Sequence, residues 1–454
     1  MVKPQDDDIK LTSFVAFLEY TVVNTALPTI QTVFHVSVLN LQWVMDIYYL
    51  VISVSMVIFG RIGDIYGRRL VFYIGIALLL LASIGAGFSQ HFGWLIFFRG
   101  MQALGVSAVI TLAVSIIYVV FTDRVNLAMG VYGLVTSLGL AFGPTIGGYL
   151  VAHYSWPWVF FINVPFLIIG WLCCLVSLPE SRAETKTPLD LGGVCLLIVT
   201  LGSLIYGVIH GGEHGWMAWS TCIWFIIFVV ALPILVIYES KQALPIMNLR
   251  FFKKPLFSLA ALCCGLSGCL ITTALFFDPL FLETVQHHSP KISGLILLAL
   301  PVGIVLFIPL IHQLLKIMQL QTLFVLSFLF LMIAACLHSL FQADVSTVVI
   351  VIALLFIGLT WAVCNIVTPV AAQNAVGAEQ SGLAVGTVYT MFNIFSAITL
   401  AIAVVVYHHL FDANQHLGYT AAFLSGFKMV FILLAVVTLI ITLIGAVLRK
   451  KVTS

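Results

Sequence analysis

A few ionisable side chains stand inside long apolar runs, where a charge costs free energy and so marks a candidate site. Glu19, in LEYTVVNTALP, lies about eight residues into the first run, roughly 12 Å at helical rise. Its short side chain is too deep to reach water outside the protein, so the carboxylate must face a cavity or take up a proton. A carboxyl so placed can carry protons. Asp46, in WVMDIYY, and Arg99, in FFRGMQALG, lie at similar depths in the second and fourth runs. Arg99 can therefore approach Asp46, or act on a carboxylate across a cavity; a structural ion pair and a coupling role both fit. Asn24 joins Glu19, Arg99 and Asp46 as a candidate for proton coupling or substrate contact. Asp278, in FFDPLF, is the only clear carboxylate within a run of the second half and reads as mainly interfacial, followed by Pro279.

Two glycine-bearing stretches surround these groups. In GRIGDIYGRR, residues 60 to 69, Gly60, Gly63 and Gly67 allow a tight turn and close helix approach. Asp64, Arg68 and Arg69 can form a charge network there that changes as helices move. In GLAFGPTIGGYL, residues 139 to 150, a spacing of four puts Gly139, Gly143 and Gly147 on one helix face, open to a close neighbour. Gly148 adds a further small residue, and Pro144 removes a backbone donor and softens the helix. A packing helix with a kink explains this stretch as well as a functional role does.

The elements that must hold these groups follow from composition. The 454 residues are 62% hydrophobic and 8% charged, with a mean hydropathy of +1.17. Apolar stretches of about 20 residues recur throughout, which predicts an all-α polytopic membrane protein; a β-barrel would show short alternating segments. Fourteen spans are expected, near 11–34, 40–60, 70–90, 94–120, 127–152, 158–177, 191–210, 217–238, 256–283, 292–314, 320–342, 345–371, 383–408 and 427–448. No removable signal peptide is read at the start. With the N-terminus inside, only Lys291 and Lys428 of the 19 Lys and Arg fall on the outer side, Arg99 lying within a span. That asymmetry places both termini in the cytoplasm. Histidines show the reverse bias, all but His312 lying at or near outer ends. The basic loops at 178–190 and 239–255 divide the chain into an N-terminal six-helix bundle (1–178), a linker with two extra spans (179–255) and a C-terminal six-helix bundle (256–454). The nine Cys lie within apolar runs without metal-ligand spacing. No Gly-Lys-Ser/Thr phosphate loop and no His-Glu-x-x-His motif is present, so ATP-driven transport, metalloprotease chemistry and enzymatic function in general lack support.

Together these motifs resemble the major facilitator superfamily, and specifically its 14-span drug/proton antiporter family, over essentially the whole chain. GRIGDIYGRR is similar to the signature of the loop between spans two and three, and RGMQALGVSA (99–108) to the fourth-span motif. LEYTVVNTALP (18–28) resembles the first-span signature, and GLAFGPTIGGYL the fifth-span motif that marks exporters. WPWVFFINVP (156–165), LDLGG (189–193) and GGEHGW (211–216) add 14-span features. There are departures. Glu19 stands where the family usually has Asp, Ala103 where the fourth-span motif has Gly, and Pro157 where an Arg is usual between two tryptophans. TMFNIFSA (390–397) lacks the Arg and paired glycines often found in span thirteen.

The resemblance implies two six-helix bundles rocking about a central cavity, with a two-helix insert. It assigns Asp64, Arg68 and Arg69 to a cytoplasmic latch, Arg99 to proton coupling, and Gly143, Pro144, Gly147 and Gly148 to a bending interface. The expected function is proton-coupled export of amphipathic, cationic organic compounds across a bacterial inner membrane, with Glu19 shared by proton and substrate. The expected partners are a small-molecule substrate, protons, the lipid bilayer and, as an addition, an outer-membrane export system; nucleic acid, metal and cofactor are not expected, the proton gradient being the energy source. A dedicated exporter of one metabolite such as a siderophore, an uptake carrier and a non-transporting sensor are the alternatives.

Overall fold

The computed structural model describes residues 5–120, 125–177, 180–181, 190–242, 249–376 and 381–453, and no strand occurs among them. In chain order the helices are α1 (Gln5–Val22), α2 (Leu27–Phe34), α3 (Val38–Leu41), α4 (Trp43–Tyr66), α5 (Arg68–Gly87) and α6 (Phe92–Val120). There follow α7 (Val125–His153), α8 (Trp158–Phe161), α9 (Asn163–Ser177), α10 (Leu191–His214), α11 (Trp219–Lys241) and α12 (Pro255–Leu280). The last six are α13 (Pro290–Leu297), α14 (Ala299–Ile317), α15 (Leu320–Ser339), α16 (Thr347–Val376), α17 (Ser381–Ala413) and α18 (Tyr419–Thr453). Among the described residues, 12 helical segments are long and apolar enough to cross a membrane. The chain is therefore an integral membrane protein. Trp158–Cys174 is apolar but shorter, and the Gln5–Phe34 stretch is not among the 12. The expected fourteen are thus not reached on length and apolarity alone.

The interruption of Gln5–Phe34 has a local cause. Pro28 has no N–H for the Asn24 carbonyl four residues back. The Leu27 N–H takes that carbonyl instead, closing the tighter 3-10 turn Val23–Ala26. Within the same turn the Thr25 hydroxyl bonds back to the Val22 carbonyl at 3.1 Å.

Chain contacts form two compact units. Unit 1 comprises Met1–Val36, Trp43–Leu191 and His288–Leu298. Its helices approach through small residues. A Cβ on Gly105 of α6 would lie 2.7 Å from the Leu79 backbone nitrogen of α5. Across α4 and α6, Ser55 Oγ donates to Ser107 Oγ at 2.7 Å. Helices in a bilayer gain little by moving apolar surface from lipid to protein, so close backbone approach and such hydrogen bonds carry the packing.

Unit 2 comprises Ser37–Gln42, Gly192–His287 and Ala299–Ser454. Its axis is α12, in which every residue from Cys263 to Leu280 is buried. Gly268 lets α12 meet α17, since a Cβ there would lie 2.6 Å from the Phe392 carbonyl oxygen. After Pro279 the helix widens into a π-turn, Phe281–Val285. By contrast α11 buries only Thr221, Ala231 and Glu239, leaving an apolar surface suited to lipid.

Candidate functional site

In unit 1, α1, α6 and α9 bring three buried polar side chains to one point. Arg99 Nη1 of α6 donates to Glu19 Oε1 of α1 at 2.7 Å, and neither side chain has any solvent exposure. Asn163 Nδ2 of α9 donates to the other carboxylate oxygen, Glu19 Oε2. The guanidinium is held from three further directions. Its Nε donates to the Val44 carbonyl at 3.1 Å, its Nη1 to Gln102 Oε1 at 3.1 Å, and its Cζ lies over the Tyr48 ring, 4.2 Å from the ring centre. Gln102 is itself fixed by donating to Ser83 Oγ at 2.9 Å. This is a charge-neutral cluster whose geometry is set by hydrogen bonds from α1, α4, α5, α6 and α9.

Of the sequence candidates, Glu19 and Arg99 meet directly. Asp46 and Asn24 do not join them. Asp46 is fully buried, and neither of its carboxylate oxygens has a hydrogen-bond partner. Asn24 bonds back to the Tyr20 carbonyl at 3.3 Å, and its Oδ1 is unpartnered. Arg99 thus reaches α4 through the Val44 backbone rather than through Asp46. Asn163 and Gln102 are the residues that sequence reasoning missed. The available signal was an amide inside an apolar run: Asn163 within WPWVFFINVP, and Gln102 one helical turn beyond Arg99.

The glycine stretch positions α1. Gly139 lies where a Cβ would be 2.5 Å from the Phe14 carbonyl oxygen. Gly143 faces Thr21, and Gly147 faces Thr25 and the Val22 carbonyl, so all three glycines lie against α1 and its 3-10 extension. Gly148 points elsewhere, onto Pro290 and Gly294 of α13. Pro144 leaves the Leu140 carbonyl without its usual amide donor four residues on. The Thr21 hydroxyl supplies that donor across the interface, at 3.1 Å. Thr21 is two residues from Glu19, so the proline gap in the α7 hydrogen-bond ladder is tied to the segment that carries the acid.

The GRIGDIYGRR segment divides its tasks. Gly63 packs on Leu112 of α6 and Gly60 on Thr111, whereas Gly67, at φ +118°, makes the turn into α5. Asp64 Oδ1 accepts from Arg68 Nε at 3.2 Å and from Nη2 at 2.9 Å. The fixing group on the other side is Glu180, which the sequence reading passed over. Its Oε1 accepts from the Arg69 N–H at 3.2 Å, and the Arg68 N–H donates to the Ser181 carbonyl at 2.9 Å. A carboxylate at the first amides of α5 complements the positive end of that helix.

One expectation is corrected. Asp278, expected to be solvated near the end of its span, is covered by protein: it is fully buried in unit 2, where its Oδ2 lies 3.3 Å from His338 Nε2, also fully buried. Position along α12 suggested an end. Lateral cover by α15 and the aromatic side chains of α18 decides the burial, and a linear sequence does not display it.

With this arrangement of paired, glycine-packed apolar helices in view, the family can be read from similarity. The Major Facilitator Superfamily model matches residues 10–400. The chain belongs to the Major Facilitator Superfamily. Among curated relatives, Multidrug resistance protein Stp of Mycobacterium tuberculosis (strain CDC 1551 / Oshkosh) is 29% identical over 391 residues, covering 86% of this chain and 73% of Stp. The Tetracenomycin C resistance and export protein of Streptomyces glaucescens is 32% identical over 285 residues, covering 62% of this chain and 53% of that protein. This superfamily member therefore spans about half of the Streptomyces relative and about three quarters of Stp. Among solved structures, tetrameric PepTSo2 aligns with a TM-score of 0.70 at 13% identity, covering 99% of this chain and 98% of that one. The peptide transporter POT in complex with sulfate aligns at 0.68 and 14%, covering 98% and 95%. At such identities these structures share the fold alone.

Proposed function

We propose that this superfamily member is a fourteen-span drug/proton antiporter that exports amphipathic, cationic organic compounds across the bacterial inner membrane. The observation that carries the reading is the buried Glu19–Arg99 pair, with Asn163 on the second carboxylate oxygen. A proton arriving on Glu19 cancels the charge that holds Arg99, so α1 and α6 lose their strongest tie. A cationic substrate acts on the same carboxylate by competing with Arg99 for it. Proton and substrate are then alternative ligands of one group, which is the thermodynamic requirement for exchange. Asp46, buried with neither donor nor cation against it, is a second carboxyl with room for a proton. The names of the relatives, which speak of multidrug resistance and of export, support the outward direction, as does the resemblance of the α7 glycine stretch to exporters.

The fourteen spans are the 12 apolar helical segments together with the broken Gln5–Phe34 stretch and the short α8–α9 pair. An even number with Lys and Arg gathered on one side puts both termini in the cytoplasm. The Asp64–Arg68 and Arg69–Glu180 contacts then lie at the cytoplasmic face, where they act as a latch between α4, α5 and the chain after α9.

The test is proton flux from protein reconstituted in liposomes with an imposed pH gradient and a pH-sensitive dye. Structurally unrelated lipophilic cations should each dissipate the gradient with the wild type and not with Glu19→Gln. Silence with every cation refutes cation exchange. A response to a single metabolite in extracts of the producing strain points to a dedicated exporter.

A further inference from the structure

The Glu19 cluster is not the only buried acid–base pair. In unit 2, Asp278 Oδ2 of α12 and His338 Nε2 of α15 are 3.3 Å apart with no exposure on either. The other imidazole nitrogen decides the protonation. His338 Nδ1 lies 2.8 Å from the Ala334 carbonyl oxygen. A carbonyl only accepts, so Nδ1 must carry a hydrogen. An imidazole with Nδ1–H has either a bare Nε2, or a second N–H and a positive charge. A bare Nε2 facing an ionised carboxylate would set lone pair against lone pair. One proton must therefore lie between Nε2 and Oδ2, as imidazolium with carboxylate or as neutral imidazole with carboxylic acid. Either way the pair is neutral and holds one exchangeable proton.

The surroundings favour that neutral state. The imidazole is stacked between Phe341 at 4.8 Å and Phe431 at 4.5 Å, and Phe281 and Phe427 extend the aromatic wall. At the end of the unit where the pair lies, the ionisable side chains on the adjoining elements are Glu283 on the π-turn, Tyr407, His408, His409 and Asp412 on α17, and Tyr419 and Lys428 on α18. His408 and Asp412 pair with each other at 3.1 Å, Tyr407 packs on Phe277, and α16 offers only Cys364, which lies against Cys263. None of them hydrogen-bonds or ion-pairs with Asp278 or His338, so no outside charge offsets loss of the proton. Asp278 Oδ1 has no partner. Beside it the helix departs from α geometry, at Pro279 and the π-turn Phe281–Val285, a kind of irregularity that concentrates at functional sites.

We propose that Asp278 and His338 form a proton-binding site of unit 2, separate from Glu19, which takes up and releases one proton between Nε2 and Oδ2. The site stands on its own geometry. A protein that exported nothing would still bind this proton, so failure here and failure of the export reading are distinguishable.

The experiment is nitrogen-15 NMR of histidine-labelled, full-length protein in lipid nanodiscs, titrated from about pH 5 to about pH 10, a window bracketing free imidazole on both sides. The His338 signals are those absent from His338→Gln. The expected result is an Nδ1 protonated across the range, and an Nε2 signal whose pH dependence changes in Asp278→Asn, since the carboxyl partner 3.3 Å away is then gone. Where Asp278→Asn fails to fold, the wild type alone decides, through the carboxyl band that should change with Nε2 in infrared difference spectra. An unprotonated Nδ1, or an Nε2 that stays fixed over the whole range or titrates with the same midpoint in Asp278→Asn, overturns the proposal.

Discussion

Replacing Glu19 by Gln removes one charge while leaving a route to keep every hydrogen bond. The new amide oxygen still accepts from Arg99 Nη1, which now sits 2.7 Å from Glu19 Oε1. The new NH2 would confront the Asn163 NH2, unless Asn163 turns over and presents Oδ1, which has no partner at present. That rotation restores both contacts, so what is lost is the carboxylate charge opposite a buried guanidinium. Removing one partner of a buried pair costs ~3–5 kcal/mol, and with both hydrogen bonds kept the cost should fall at about 3 kcal/mol. Glu19→Ala leaves Arg99 Nη1 with Gln102 alone and strands the Asn163 amide, so it should cost about 5 kcal/mol. The double variant Glu19→Gln with Asn163→Asp returns a carboxylate to the cluster from α9. It should recover about half of the lost stability and none of the export, because the charge no longer rides on α1. Stability is read from unfolding midpoints in detergent and export from dye efflux in proteoliposomes. The order should run wild type, double variant, Glu19→Gln, Glu19→Ala. Equal midpoints for the two single variants, or export restored by the double variant, would refute the reasoning.

Other substitutions probe separate parts. Tyr48→Phe should leave stability and transport unchanged, because the Tyr48 hydroxyl is buried without a partner, whereas Tyr48→Leu should cost about 2 kcal/mol through loss of the ring under Arg99. Gly143→Leu must collide with Thr21 and the Val22 amide, and should abolish export while Gly133→Ala, in open space on the same helix, has no effect; membrane yield and dye efflux separate the two. Gly67→Ala puts a side chain at φ +118° and into the Glu180 carboxylate. It should slow efflux and lower the unfolding midpoint by the equivalent of about 1–3 kcal/mol, and Glu180→Ala added to it should relieve part of that loss.

Much of the helical framework could be read from apolar run length, since helix ends fell near the expected boundaries. What the runs concealed was where a helix breaks. Pro28 converts part of the first span into a 3-10 turn, a local effect that hydropathy averages away. At the site, Glu19 and Arg99 stood out because charge in apolar sequence is rare. Their mutual pairing did not, because Asp46 offered an equally plausible carboxylate at the same depth. Asn163 and Glu180 contribute contacts 144 and 111 residues away in sequence. Separations of that size carry no periodic signal, so only folding reveals them. By its place in the sequence His338 falls among the histidines near outer ends. Depth along a helix can be counted from sequence, but which side of the helix meets protein rather than lipid depends on neighbours that come later in the chain.

The hydroxyl of Thr21 closes a gap that Pro144 opens in a different helix. A proline flaw is ordinarily a property of the strand of chain that contains it. Here the carbonyl that Pro144 leaves open in α7 is closed from α1, two residues from the buried Glu19. The segment carrying Glu19 and the proline gap in α7 are thereby joined through one hydroxyl, so a shift of either is felt by the other through a single hydrogen bond.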